Sequence, residues 1–199
     1  MAWKPDYITA EQLKNYRNID DATDDFVYAA AVTTASRAID DHCNRQFGKT
    51  DGPQQRAYTA WYDYDEARWV VDIDDLQDAT GLVVTVAGTA ITVYTLAPIN
   101  AVLDGKAWTQ LIVGKTAEAQ PCGTRGEVLI TADVWGWTAF PVPVVNAAYL
   151  QGSRFVTRRK SPYGIAGSPD TGSELRLLSR VDPDVGVSLR GLRRTRKVG

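Results

Sequence analysis

The spacing of hydrophobic residues divides this chain into helical ends and a strand-rich middle. Over residues 9–17 and 20–45, apolar side chains recur at steps of three and four, which places them on one face of an α-helix. Thr9 and Gln12 have the spacing of a capping box for the first helix. Four acidic residues within 20–25 predict the start of the second, because negative charge there stabilises the backbone dipole. Its alanine-rich stripe, which includes Phe26, Ala35 and Ile39, predicts close packing against another helix.

Residues 55–138 instead show short runs of β-branched and aromatic residues separated by turn residues. The runs that predict strands are 56–62, 69–73, 82–86, 90–94, 108–113 and 127–131. The segment 86–90, which contains Gly88, predicts a hairpin turn between two of them. Short strands at this density predict a small antiparallel sandwich or barrel.

The last part of the chain returns to helical spacing. Pro141 and Pro143 stand where a helix can begin, because the first turn needs no donated N–H, and the helix is predicted to end near Lys160. Breaker residues predict a loop over 161–173, followed by an amphipathic piece over 183–192 and a basic tail.

Together these patterns predict an α+β fold. Because connected elements tend to lie close together, we expect N- and C-terminal helices to form one bundle with an inserted small antiparallel β sandwich or barrel. The predicted domains are the N-terminal helices of the core at 1–52, a β-rich insertion at 53–140, and at 141–199 a C-terminal helix, loop and basic tail that complete the core.

Charge is unevenly distributed along the chain. Residues 151–199 carry eleven Lys/Arg against four Asp/Glu, whereas residues 1–150 carry eleven against twenty. Such a basic end suits docking on nucleic acid, on an acidic protein surface or on another copy of the chain. Because like charges repel, we expect residues 186–199 to be mobile in the monomer, to order on an acidic partner, and to be removable without loss of the fold. The candidate docking residues are Arg190, Leu192, Arg193, Arg194, Arg196 and Lys197.

Residue types that carry catalysis occur without recognisable partners. His42 is the only histidine and lies beside the apolar stripe of its helix, so we interpret it as a partly buried structural residue. Cys43 and Cys122 form no C-x-x-C pair, and we expect two buried free thiols rather than a zinc site or a disulfide. No phosphate-binding glycine motif occurs in the chain. We therefore predict no enzymatic activity, metal or cofactor.

Two acidic clusters invite a metal or glycosidase interpretation. The second does not have the spacing of an EF-hand loop, and paired carboxylates occur on nearly any acidic surface. We interpret both clusters as solvated surface. They are Asp63, Asp65 and Glu66, and Asp72, Asp74, Asp75 and Asp78.

Both ends of the chain carry loose motifs in a fixed order. The N-terminal motifs are Tyr7-Ile8-Thr9-x-Glu11-x-Leu13-Lys14, Asp24-Asp25, and Ala35-Ser36-x-x-Ile39-Asp40-x-x-Cys43-x-Arg45-x-Phe47. The C-terminal motifs are Val142-Pro143 with Val145, Arg158-Arg159-x-Ser161-Pro162-x-Gly164, Arg180-x-Asp182-Pro183-Asp184-Val185, and Leu192-Arg193-Arg194. Together they resemble the phage head-tail connector (adaptor) proteins; the β-rich middle is outside the resemblance.

The resemblance implies a non-enzymatic, dodecameric ring beneath the portal protein of a tailed-phage capsid. Such a ring contacts the portal, its own copies and the next connector (stopper) or the tail. It is assembled in the host cytoplasm, ends in the neck of the virion and binds no membrane. DNA passes through its channel without sequence-specific binding, and the two acidic clusters are candidates for the channel wall, since acids let DNA slide.

Two other functions remain open from the residues alone. One is a nucleic-acid-binding module that uses the Arg-rich C-terminus, although the acidic body disfavours a broad DNA footprint. The other is a glycan-binding β-module that uses the Trp-rich middle, in which Trp135, Trp137 and Phe140 lie close together. Packing of these aromatics beneath the following helix is the simpler expectation.

Overall fold

The computed structural model describes residues 3–20, 24–160, 165–166, 175–176 and 182–195. The fold is mixed α+β, with helices and antiparallel sheets. It divides into two compact units. The β unit comprises residues 1–4 and 48–139, and the helical unit comprises residues 5–47 and 140–199, so both ends of the predicted core belong to one unit. The observed divisions follow residues 47 and 139, five residues before the first predicted boundary and one before the second.

The helical unit contains α1 (Ala10–Tyr16), α2 (Asp25–Cys43), α3 (Val142–Lys160) and α4 (Pro183–Leu189), and a 3-10 turn (Arg190–Leu192) follows α4. Helix α2 packs against α1 and α3, and α3 packs against α4. The predicted capping box is confirmed: the Gln12 amide N–H donates to Thr9 Oγ1 at 3.1 Å, and the Thr9 amide donates to Gln12 Oε1 at 2.8 Å.

The buried face of α2 differs from the predicted stripe at its first turn. Phe26 is 85% exposed, whereas Tyr28 and Val32 are buried together with Ala35 and Ile39. These four residues recur at steps of three and four, and Phe26 lies about 200° around the helix from Tyr28 because successive residues turn by about 100°. The prediction for Phe26 was therefore wrong, while that for Ala35 and Ile39 is confirmed.

A buried hydrogen-bond network joins the segment before α1 to α2. The Tyr7 hydroxyl donates to the Asp40 carboxylate and accepts from the Phe47 amide at 3.0 Å, while the Tyr7 amide donates to Ser36 Oγ at 3.1 Å. Arg37 Nε lies 3.2 Å from Asp40 Oδ2. Burial and, after it, the Asp40 carboxylate raise the pKa of Tyr7 far above its usual value, so the phenol stays protonated as a donor.

The β unit contains two four-stranded antiparallel sheets. One has the order β1-β8-β4-β5 and the other β2-β3-β7-β6. The strands are β1 (Gln54–Tyr58), β2 (Ala60–Asp63), β3 (Arg68–Leu76), β4 (Val83–Val86), β5 (Thr89–Ile91), β6 (Tyr94–Ala97), β7 (Trp108–Val113) and β8 (Val128–Ala132).

Two predicted strands are each divided between the sheets. The run 56–62 breaks at Thr59, so β1 pairs with β8 while β2 pairs with β3. The run 90–94 breaks after Ile91 in the same way, since β5 pairs with β4 and β6 with β7. A single straight strand can pair in only one sheet, whereas a short break lets one run contribute to both sheets around a shared core.

The hairpin between β4 and β5 is confirmed. Val86 pairs with Thr89, and the two residues between them, Ala87 and Gly88, have positive φ angles of 49° and 86°. Two central residues with positive φ define the tight turn whose twist matches that of paired strands.

One apolar cluster forms the core of the β unit and draws on both sheets. Its largest member, Trp135, is fully buried and donates from Nε1 to the Gln54 carbonyl at 2.9 Å. Trp137 is also buried and donates to Asp75 Oδ2 at 2.8 Å. The expected burial of these two tryptophans is therefore confirmed, and neither presents a ring to a sugar. Their hydrogen-bond partners lie in the β unit and not in the following helix, beneath which they were expected to pack.

The predicted loop over 161–173 contains a short strand. β9 (Ile165–Ala166) pairs antiparallel with β10 (Leu175–Arg176), so this part of the prediction was wrong. Pairing supplies backbone hydrogen bonds that turn residues alone do not suggest. The rest of the predicted loop lies outside the described residues.

We expect Tyr7→Phe to destabilise the helical unit by about 1–3 kcal/mol, because it removes the hydroxyl that binds Asp40 and the Phe47 amide in the buried network. Tyr16→Phe is the matched control, since Tyr16 is half exposed. Urea unfolding followed by far-ultraviolet circular dichroism measures both variants. Equal stabilities for the two would contradict the structural role of the Tyr7 hydroxyl.

Candidate partner-docking surface

Helix α4 anchors the C-terminal segment to the helical unit. Asp182 caps it by accepting from the Asp184 amide at 2.9 Å, and Pro183 stands in the first turn, where no donated N–H is needed. Val185 and Leu189, one turn apart, are both fully buried. Although α4 is only 7 residues long, these two side chains fix it against the rest of the unit.

The chain beyond α4 is fastened to the C-terminal end of α2. The Arg194 amide donates to the Cys43 carbonyl at 2.8 Å, and Asn44 Nδ2 donates to the Arg194 carbonyl at 3.3 Å. Asn44 has φ 52° and ends α2 in the left-handed conformation. Because carbonyl groups at a helix C-terminus carry partial negative charge, arginines are favoured at this position.

These contacts correct the expectation of a mobile tail. Leu189 is fully buried and the Arg194 backbone is hydrogen bonded, so the segment from Gly186 to Thr195 is part of the helical unit, and its removal would expose apolar surface. Apolar side chains spaced for a helix outweigh the repulsion that the charge pattern suggested.

The described docking candidates differ in exposure. Arg190 and Arg193 are exposed, and within the described part of the chain neither forms an ion pair. Leu192 and Arg194 are half-buried. Arg196 and Lys197 lie outside the described residues.

Arg193 also perturbs two neighbours at the end of α2. Burial lowers the pKa of His42, and the positive charge of Arg193 lowers it further, so the imidazole is neutral at pH 7. Burial raises the pKa of the Cys43 thiol to about 11 despite the opposing effect of the nearby Arg45 and Arg193. The His42 imidazole and the Cys43 thiol are therefore both uncharged, so the positive charge near the end of α2 comes from the arginines.

The first acidic cluster forms the turn between β2 and β3. Asp63 Oδ1 accepts from the Asp65 amide at 3.1 Å, and Arg68 Nη1 binds Glu66 Oε2 at 2.6 Å. The Asp65 carboxylate is exposed and has no ion-pair partner among the described residues. Tyr64, for which the sequence pattern predicted no role, is 87% exposed at the tip of this turn.

The second acidic cluster is dispersed among separate structural contacts. Asp72 accepts from Trp61 Nε1 at 3.1 Å, and Asp75 is buried. Hydrogen bonds from the hydroxyl and the amide of Thr80 lower the pKa of Asp78. These carboxylates are fixed by different partners and do not converge on one ligand position.

Asp74 belongs to a packed cation–aromatic cluster. It accepts from Arg56 Nη1 at 2.7 Å and from the Tyr58 hydroxyl at 3.0 Å. The Arg56 guanidinium lies 4.2 Å from the centre of the Trp3 ring and 4.8 Å from that of Trp135. The cluster ties the N-terminal Trp3 to the β unit, which is a structural role.

Within the described ranges, no group of three or more His, Cys, Asp or Glu is arranged to hold a metal ion. Cys43 is buried, but Cys122 is exposed, with its Sγ 3.1 Å from Glu127 Oε2, so the expectation that both thiols are buried was wrong for Cys122. None of the helices that the structure describes is long and apolar enough to cross a membrane.

Comparison with known proteins found no matching family model and no similar curated protein.

We expect Leu189→Ala to destabilise the helical unit by about 2–5 kcal/mol, because it leaves a cavity where a fully buried side chain anchors α4. Val187→Ala, on the same helix, is the control because Val187 is 76% exposed. Thermal unfolding compares the two variants. A Leu189→Ala protein as stable as Val187→Ala would mean that the C-terminal segment is not fastened to the unit.

The two thiols should react at very different rates with a disulfide reagent at pH 8. Cys122 is exposed and should react at once, whereas burial and a raised pKa protect Cys43 until the protein unfolds. Absorbance with Ellman's reagent should therefore show one fast thiol in the native protein and two in urea. Two fast native thiols would contradict the packing at the end of α2.

Proposed function

We propose that this protein is a structural head-to-tail adaptor of a tailed bacteriophage. In this proposal, copies of the chain form a ring, with dodecamers expected, on the portal protein in the virion neck. The ring extends the DNA channel and receives the next connector (stopper) or the tail. It has no catalytic activity, and DNA passes through without sequence-specific binding.

The observation that carries the proposal is that residues of the connector-like motifs contact one another in one unit. Tyr7, Ser36, Asp40 and Phe47 come from two separate N-terminal motifs and share the buried network. Residues that the motifs relate only by their order along the chain therefore take part in one buried hydrogen-bond network.

The C-terminal motifs support the same proposal. Asp182 and Pro183 begin α4, and the Leu192-Arg193-Arg194 motif leads to the backbone contact with Cys43, itself a residue of an N-terminal motif. Motifs from the two ends of the chain therefore meet at the C-terminus of α2.

We further propose the finer fold that accompanies this function, a helical bundle core with an inserted β sandwich. The discontinuous helical unit, made from residues before 48 and after 139, supports a bundle completed by both ends. The single core cluster shared by the two sheets supports a sandwich. Such an insertion adds a surface to the core without interrupting its helix contacts.

The charges fit the partners of an adaptor. Exposed Arg190 and Arg193 offer donors to carboxylates of the portal or of a neighbouring subunit. An exposed acid such as Asp72 suits a surface that DNA passes without binding, because a carboxylate offers no favourable contact to phosphate.

Removal of the chain from an infection tests the proposal. Particles assembled without it should retain the portal but leak DNA and lack tails, as seen by electron microscopy and by nuclease sensitivity of the packaged genome. Wild-type protein supplied in trans should restore tails, which controls for effects on neighbouring genes. Normal tailed particles without the protein would contradict the proposed function.

A further inference from the structure

Two exposed surfaces of opposite charge each carry charged groups without an ion-pair partner among the described residues. These groups are Arg190 and Arg193 on one surface and Asp65 on the other, where Arg68 pairs with the neighbouring Glu66 at 2.6 Å and lies 3.7 Å from Asp63. We define the basic patch as Arg190 and Arg193 on the C-terminal segment, and the acidic turn as residues 63–66 between β2 and β3. Each is built on a fixed backbone, so each presents its charges in a defined geometry.

Contacts on both sides of the basic patch fix its backbone. Leu189, immediately before Arg190, is fully buried, and the Arg194 backbone binds Cys43 and Asn44 on the other side of Arg193. The guanidinium groups therefore extend from a segment that is already ordered. A partner that binds them does not need to supply the free energy of ordering this backbone.

The acidic turn presents an aromatic ring between carboxylates. Tyr64 is 87% exposed, and its ring centre lies 5.0 Å from that of Tyr62, which in turn lies 5.1 Å from that of Trp69. Asp65 projects beside it without an ion-pair partner in the described chain. Arginine stacks on tyrosine and forms planar hydrogen bonds with carboxylates, so this pairing of groups suits an arginine-bearing surface.

We propose that the acidic turn of one copy of this chain docks on the basic patch of a second copy. The inference rests on the proposed function and names the subunit contact of its ring. Charge complementarity selects a second copy, because the chain itself supplies both surfaces.

The contact joins two different surfaces, so it is heterologous. A twofold dimer through either surface alone would place like charges together, whereas turn-on-patch pairing leaves a free turn and a free patch at the two ends of any chain of copies. Such pairing closes into a ring or extends into a filament. One turn on one patch buries less surface than a stable complex needs, so the contact is weak until a template gathers the copies.

Disulfide trapping tests the contact with all its charges kept. In a Cys122→Ser background, one preparation carries Ala67→Cys, immediately after the acidic turn, and another carries Thr195→Cys, beside the basic patch. Both positions are exposed. Mixed and oxidised, the two should form mixed dimers, counted by mass spectrometry. The doubly substituted chain should instead form a ladder of oligomers. Leu103→Cys, which is 87% exposed in the β unit, replaces Ala67→Cys in the control.

We expect several-fold more mixed dimer from Ala67→Cys with Thr195→Cys than from the control pair, Leu103→Cys with Thr195→Cys. Arg190→Glu with Arg193→Glu in the Thr195→Cys chain should abolish that excess, as should raising salt to about 0.5 M, which screens exposed charges. Yields equal to the control, or unchanged by charge reversal, would overturn the proposed contact. If the trapping experiment fails in this way but the protein is found in the virion neck, the proposed contact is wrong and the proposed adaptor function stands. Normal tailed particles assembled without the protein would contradict the adaptor function, whereas the trapping result would still show whether copies of the chain bind each other.

Discussion

The helical unit depends on the position of α2, and the buried Tyr7 hydroxyl fixes the C-terminal half of that helix. This one oxygen joins the segment before α1, the Asp40 carboxylate on α2 and the backbone at Phe47, where the chain leaves the unit. A buried carboxylate is tolerated only when its hydrogen bonds are supplied, so the network specifies one arrangement of these three segments. Gly152 on α3 allows α1 to approach closely, since a Cβ there would lie 3.0 Å from Leu13 Cδ2.

The end of α2 then determines where the C-terminal arginines lie. The Cys43 carbonyl at the end of α2 accepts a hydrogen bond from the Arg194 amide, and buried Leu189 fixes the other side of the segment. The two units also differ in charge, although less than the two parts of the sequence do. The helical unit carries fifteen Lys/Arg and twelve Asp/Glu, whereas the β unit carries seven and twelve. The helical unit therefore carries net positive charge and the β unit net negative charge. An ordered basic surface on the helical unit suits assembly between copies better than a mobile tail that binds a partner would.

The sequence was sufficient to predict features that depend on local chemistry. The capping box of Thr9 and Gln12 and the hairpin at Gly88 depend on residues a few positions apart, and both are observed. The division of the run 56–62 between two sheets could not be predicted, because it depends on which distant strand each half pairs with. The exposure of Tyr64 escaped notice for a related reason, since aromatics in strand-rich segments are usually packed. The docking of the tail likewise depends on a long-range bond to Cys43.

Electron cryomicroscopy of tailed-phage particles assembled in cells that produce this chain, focused on the neck, tests the central claim most directly. The account predicts a ring directly beneath the portal, with density that fits the helical unit of α1 to α4 and the two-sheet β unit in every subunit. A neck in which the portal contacts a different protein, with no density for this chain, would contradict it.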